Sequence, residues 1–103
     1  MTGEDRLDAS AIVDLLEVFR QSMKEIQGRI AGEVSAHGDK VADLAHEVRG
    51  MSGNLGAQRL AELATQCEVA ANAGDWGTVD RLSPVLESEI GRALAFVEDY
   101  INA

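Results

Sequence analysis

Apolar residues recur along this chain in steps of three and four, the spacing of one face of an α-helix. Ile12, Leu15, Leu16, Phe19, Met23, Ile26, Ile30 and Val34 form a first stripe, which continues through the helix-weakening Gly28 and Gly32. Asp8 or Ser10 is placed to cap its start. The run stops at "HGD", residues 37–39, where Gly38 suits a left-handed C-terminal residue and Asp39 suits the next N-cap. Val41, Leu44, Val48, Met51 and Leu55 form a second stripe, ended by Gly56. Leu60, Leu63, Ala64, Cys67, Ala70 and Ala71 form a third, and Gly74 and Asp75 repeat the stop-and-cap pattern after it. The fourth runs Trp76, Val79, Leu82, Leu86, Ile90, Leu94, Val97 and Ile101. Pro84 has no N–H for the ladder, so a kink is expected there, or a restart with Ser83 as cap and Pro84 at the first helical position.

Nothing reads as a strand. Long amphipathic helices joined by short connections favour antiparallel neighbours, so the expected fold is all-α: one domain over residues 1–103, an antiparallel up-down four-helix bundle with its first few residues flexible. At 103 residues the chain can bury one core.

Composition narrows the partners. The net charge of −9 disfavours nucleic acid and anionic membrane surfaces, both of which call for clustered Lys and Arg. No apolar run approaches the roughly 20 residues of a membrane span. "MTGEDRLDAS" lacks the basic and apolar regions of a secretory signal, and the single cysteine, Cys67, fits a reducing cytosol, so a cytoplasmic location is expected. Cys67 lies on an apolar stripe and reads as an inert core thiol. Trp76 and Tyr100 read as packing anchors.

The second helix holds the candidate chemistry. With Leu44 at zero and about 100° per residue, its apolar stripe centres near about 20° and His46 falls at about 200°, facing water. Ala42 at about 160°, Gly53 at about 180° and Gly50 at about 240° surround it, with Arg49 at about 140°. The imidazole therefore stands in a clearing of three residues with almost no side chain, beside one cation. Each glycine in a helix costs roughly 1 kcal/mol relative to alanine, and Gly56 alone suffices to end this one. A cleared surface makes sense where another backbone must approach the ring closely. Ser52, at about 80°, is expected to make a local helix contact rather than to take part in chemistry. His37 and His46 are nine residues apart with different facings, and no Cys/His/carboxylate cluster has ligand spacing, so no metal site is expected. His37 reads as a helix C-terminal residue favoured by the dipole when charged.

"AHEVRGMSGNLGA", Ala45 to Ala57, resembles the signature of histidine-containing phosphotransfer (HPt) domains of bacterial multistep phosphorelays, roughly A-H-x-L-K-G-x-S-x-x-L-G-A. Ala45, His46, Gly50, Ser52, Leu55, Gly56 and Ala57 match; Val48 replaces Leu, and Arg49 replaces Lys with its charge kept. "HGD", the Cys67-Glu68 pair and "AGDW" extend the similarity over roughly residues 9–100.

The resemblance implies a phosphoryl carrier rather than a stand-alone enzyme. His46 would take a phosphoryl group from a receiver-domain aspartate, or from a sensor (hybrid) histidine kinase, and pass it to another response-regulator receiver. Nε2, the outer ring nitrogen, would be the nucleophile. Glu68, on the flank of the third helix, would accept from Nδ1–H, and Arg49 would stabilise the phosphoryl oxygens. Ala42, Gly50 and Gly53 would let the receiver approach. No cofactor is expected on this chain, magnesium being held by the receiver, and a monomer is expected. "HEVR" also resembles the phosphoacceptor box of sensor kinases, which has a proline where this chain has Met51. A dimeric kinase-like phosphotransferase and a non-transferring receiver-binding adaptor of the same fold are the alternatives. A hydrolase or isomerase using His46 as base lacks a second convergent catalytic group other than Glu68.

Overall fold

The apolar stripes fold as four helices in the computed structural model, which describes residues 9–103. These are α1 (Ala9–Ser35), α2 (Val41–Asn54), α3 (Gln58–Asn72) and α4 (Trp76–Asn102), with no strand among the described residues. They pack as a closed ring, α1 on α2, α2 on α3, α3 on α4 and α4 on α1, in a body of 53 × 24 × 19 Å. The most extensive of these contacts joins α2 to α3. Alanine explains why: Ala45 on α2 and Ala64 on α3 are fully buried, and so short a side chain lets two helix backbones come close.

One apolar cluster fills the ring. α1 contributes Phe19, Met23, Ile26, Ile30 and Val34; α2 contributes Val41, Leu44, Ala45 and Val48. α3 adds Leu60, Ala64, Cys67 and Ala70, and α4 adds Val79, Leu86, Ile90, Leu94 and Val97. The Cys67 thiol is buried in it, and burial pushes its pKa up, away from the thiolate. Several residues of the expected stripes lie outside this core, among them Leu16, Leu63 and Leu82, which are half-buried against it. Leu15 and Leu55 are exposed, Leu55 because it caps α2 after the last helical turn. Met51 is half-buried. Tyr100 is exposed at the end of α4 and is no packing anchor, since it lies beside the stripe rather than on it.

The helix ends follow backbone hydrogen-bond closure. Gly56 and Gly74 take positive φ, 73° and 71°, where α2 and α3 stop. Each is followed by the N–H of the next residue reaching back, Ala57 to the Ser52 carbonyl at 2.9 Å and Asp75 to the Ala70 carbonyl at 2.8 Å. At the end of α1 the same closure joins the Gly38 N–H to the Glu33 carbonyl at 2.9 Å and the His37 N–H to the Val34 carbonyl at 3.0 Å. That geometry puts the left-handed position at His37, φ 48°, and not at Gly38. A non-glycine residue there costs about 1–2 kcal/mol. The His37 ring is held by stacking on half-buried Trp76, centroids 4.9 Å apart and 10° from parallel, and its Nε2 lies 3.3 Å from both carboxylate oxygens of Asp80.

Asp39 does not cap α2. Lys40 occupies that position, with no side-chain cap, because the chain has already turned into helical geometry there. Asp75 does cap α4: its carboxylate accepts from the Thr78 N–H at 3.3 Å and the Thr78 hydroxyl at 2.6 Å. Those bonds hold its pKa below the usual carboxylate value. The cap's contribution is thus present above the unfolded pKa and is lost as pH falls through the lowered one. Ser10 lies inside α1, and Asp8 lies outside the described residues. α4 runs unbroken through Pro84, so there is no restart; Ser83 is buried in mid-helix and donates to Glu87 at 3.2 Å.

Candidate functional site

The middle of α2 presents His46 outward, its side chain 59% exposed, while Ala45 and Val48 on either side of it in sequence are buried. The helical period alone separates them. Gly50 and Gly53 are exposed, and a Cβ at either would meet nothing within 4 Å. Internal packing therefore gives no reason for glycine at either position. Ala42 is half-buried one turn before the histidine.

The tight α2–α3 seam brings Glu68 to the ring. Glu68 follows Ala64 by one turn on α3, and its side chain is only 21% exposed. One carboxylate oxygen, Oε2, lies 2.8 Å from His46 Nδ1, and the other, Oε1, lies 3.2 Å from Arg49 Nε. Arg49 pairs with this carboxylate, and its Nη2 lies 2.9 Å from the same Nδ1. Glu68, Arg49 and His46 thus form a closed triangle on the α3 side of the histidine. An ionised carboxylate accepts only and a guanidinium donates only, so a proton on Nδ1 is donated to Glu68. Without that proton, the Nδ1 lone pair and a carboxylate oxygen would face each other at 2.8 Å. In the Nδ1–H form, which Glu68 accepts from, the lone pair is on Nε2; in the other tautomer Nδ1 accepts from Arg49 Nη2.

On the other side of the histidine the helix surface passes through Gly50 and Asn54 to Met51. There it meets α1 at a shallow cleft lined by Leu15, Val18, Phe19, Met51, Asn54 and Leu55. Leu15, Val18 and Leu55 are exposed, and Phe96 of α4 is 72% exposed beside a second apolar cleft that shares Phe19 and Leu55. Leu15 and Leu55, expected in the core from their places on the apolar stripes, belong to this exposed patch instead. The signal was present: Val18, beside Phe19, lies off the α1 stripe and makes the apolar face wider than one core needs.

Ser52 is fully buried, and its hydroxyl has no hydrogen-bond partner, so the expected local helix contact is absent. Burial without a partner makes that hydroxyl a liability. A Ser52→Ala protein is expected to be more stable by about 1 kcal/mol, read as a higher urea midpoint. A lower midpoint would mean that the hydroxyl is bonded in solution.

Among the described residues no group of three or more His, Cys, Asp or Glu side chains could hold a metal ion, and no helix is long and apolar enough to cross a membrane.

No curated protein and no solved structure matches the chain significantly. The family model of the Hpt domain matches residues 14–96, a span that includes the histidine of α2, its glycine clearing and the carboxylate of α3. The protein belongs to the Hpt domain family, whose members serve histidine phosphotransfer in phosphorelays.

Proposed function

We propose that His46 is the phosphoacceptor and that the protein shuttles a phosphoryl group between receiver-domain aspartates, or from a sensor (hybrid) histidine kinase to a receiver. The observation that carries this reading is the exposed ring whose Nδ1 lies 2.8 Å from the Glu68 carboxylate, with glycines rather than long side chains around it. Nε2 attacks phosphorus in line with the departing carboxylate oxygen of the donor aspartate, and the reverse step returns the group to a second receiver. Positioning and charge stabilisation supply most of what such a transfer needs. Glu68 orients the ring, and the Arg49 guanidinium, which lies beside Nδ1, offsets the phosphoryl charge through space.

Ala42, Gly50 and Gly53 admit the receiver's active-site loop, and the apolar cleft of Leu15, Val18, Met51 and Leu55 gives the receiver a surface to seat on. The magnesium ion of the reaction belongs to the receiver's acidic pocket. The helices run up and down in alternation, which the three-residue turns Leu55–Ala57 and Ala73–Asp75 support. The chain acts as a cytoplasmic monomer and as a transfer intermediate, not as an enzyme in its own right.

The test uses a small phosphoramidate donor, with intact mass recorded before and after brief acid treatment. The wild type is expected to gain one acid-labile phosphoryl group and His46→Gln none. Equal labelling of the two proteins would place the acceptor elsewhere. No labelling of either, together with no exchange with phosphorylated receivers, would leave only the receiver-binding adaptor.

A further inference from the structure

Two groups compete for one atom at this site. Nδ1 of His46 has an obligate acceptor, Glu68 Oε2, at 2.8 Å and an obligate donor, Arg49 Nη2, at 2.9 Å. A ring nitrogen either donates or accepts, so only one of these contacts is a hydrogen bond at any moment. We propose that Arg49 and Glu68 are a proton selector on Nδ1 that sets how readily the phosphorylated ring releases its phosphoryl group. The proposal rests on His46 being the phosphoacceptor.

The balance of atoms gives the selector its effect. When the Nε2 lone pair forms the N–P bond, the P–O bond of the donor's acyl phosphate breaks and its electron pair stays on the aspartate oxygen. The ring then carries phosphorus on Nε2, a proton on Nδ1 and a positive charge. In one form it keeps that proton and donates it to Glu68. Breaking the N–P bond then returns a neutral imidazole, a good leaving group. In the other form the proton passes to water, and the bare Nδ1 accepts from Arg49 Nη2. Breaking the N–P bond then has to expel an imidazolate anion, a poor leaving group. Glu68 favours the form that releases, and Arg49 favours the form that stores.

The pair can exchange roles without moving far. Arg49 Nε is already anchored on Glu68 Oε1 at 3.2 Å, so neither exchange of roles requires the guanidinium to leave the vicinity of Nδ1. The other charged groups near the ring are Asp43, one turn earlier on α2, and Glu47, the next residue; both are exposed. Among the described residues neither these two nor any charged side chain of α1, the other helix packed on α2, makes an ion pair with His46.

Opposite signs test the proposal. Wild type, Glu68→Gln and Arg49→Gln proteins are phosphorylated with phosphoramidate, freed of donor, and followed at one neutral pH without receivers. The expected half-life of the phosphohistidine is about threefold longer in Glu68→Gln, which swaps a charged acceptor for a neutral one, and about threefold shorter in Arg49→Gln. The ¹⁵N shift of Nδ1 should move towards the unprotonated value in the first and towards the protonated value in the second. The same opposition is expected in the tautomers of the unphosphorylated ring, a reading that requires no labelling of the variants. Shifts of one sign in both variants, or none, would overturn the selector while leaving a labelled His46 as the phosphoacceptor. Failure of the wild type to label at His46 would overturn both.

Discussion

A Gly50→Gln protein is expected to be more stable than the wild type and to lose about a hundredfold in the rate of phosphoryl exchange with a receiver domain. The two effects have one origin. Gly50 lies in mid-helix, and a Cβ there would meet nothing within 4 Å, so glutamine adds no clash inside the protein. Replacing glycine by a better helix former in an exposed helix interior stabilises by roughly 0.5–1 kcal/mol. The side chain then occupies the clearing one turn from His46, where the receiver's loop has to bring its aspartate into line with Nε2. A displacement of about 1 Å in such a geometry costs on the order of a hundredfold. Labelling by phosphoramidate should survive, because so small a donor reaches Nε2 past the glutamine. Urea unfolding, phosphoramidate labelling and exchange with a receiver that serves the wild type make up the measurement. Wild-type exchange by Gly50→Gln would show that the clearing is not a docking feature.

The second large effect falls on the fold. Ile90 of α4 is fully buried, in the helix that packs on both α1 and α3. Ile90→Ala removes apolar contacts and leaves a cavity, a change worth about 2–5 kcal/mol. Against a total stability of roughly 5–15 kcal/mol for a domain of this kind, that is a large fraction. The expected result is a fall in urea midpoint at unchanged slope, with phosphoramidate labelling of His46 preserved while the protein remains folded. A loss under about 1 kcal/mol would mean that the core closes around the gap.

Much of this architecture was legible residue by residue. Buried positions such as Met23, Ile30, Val48 and Ile90 follow the helical period, and so does the outward facing of His46. Gly56, Gly74 and Asp75 ended or began helices where their backbone and side-chain chemistry placed them. The departures share a cause. Leu15, Leu55 and Tyr100 are apolar or aromatic and lie near a stripe, and hydrophobicity alone does not say whether a neighbouring helix covers them. At the end of α1 the choice between His37 and Gly38 was decided by which N–H reached the Glu33 carbonyl, and Trp76 and Asp80 on α4 supply the contacts that hold a histidine there.

By itself the sequence determined four helices, one core, an exposed histidine and the clearing around it, because periodicity and backbone chemistry act within a few residues. Only the tertiary structure decided that Glu68, 22 residues further along, lies 2.8 Å from Nδ1, and that Arg49 joins the same carboxylate. Those distances depend on how closely two helices approach, which small buried side chains such as Ala45 and Ala64 permit, and no local pattern records a spacing between helices.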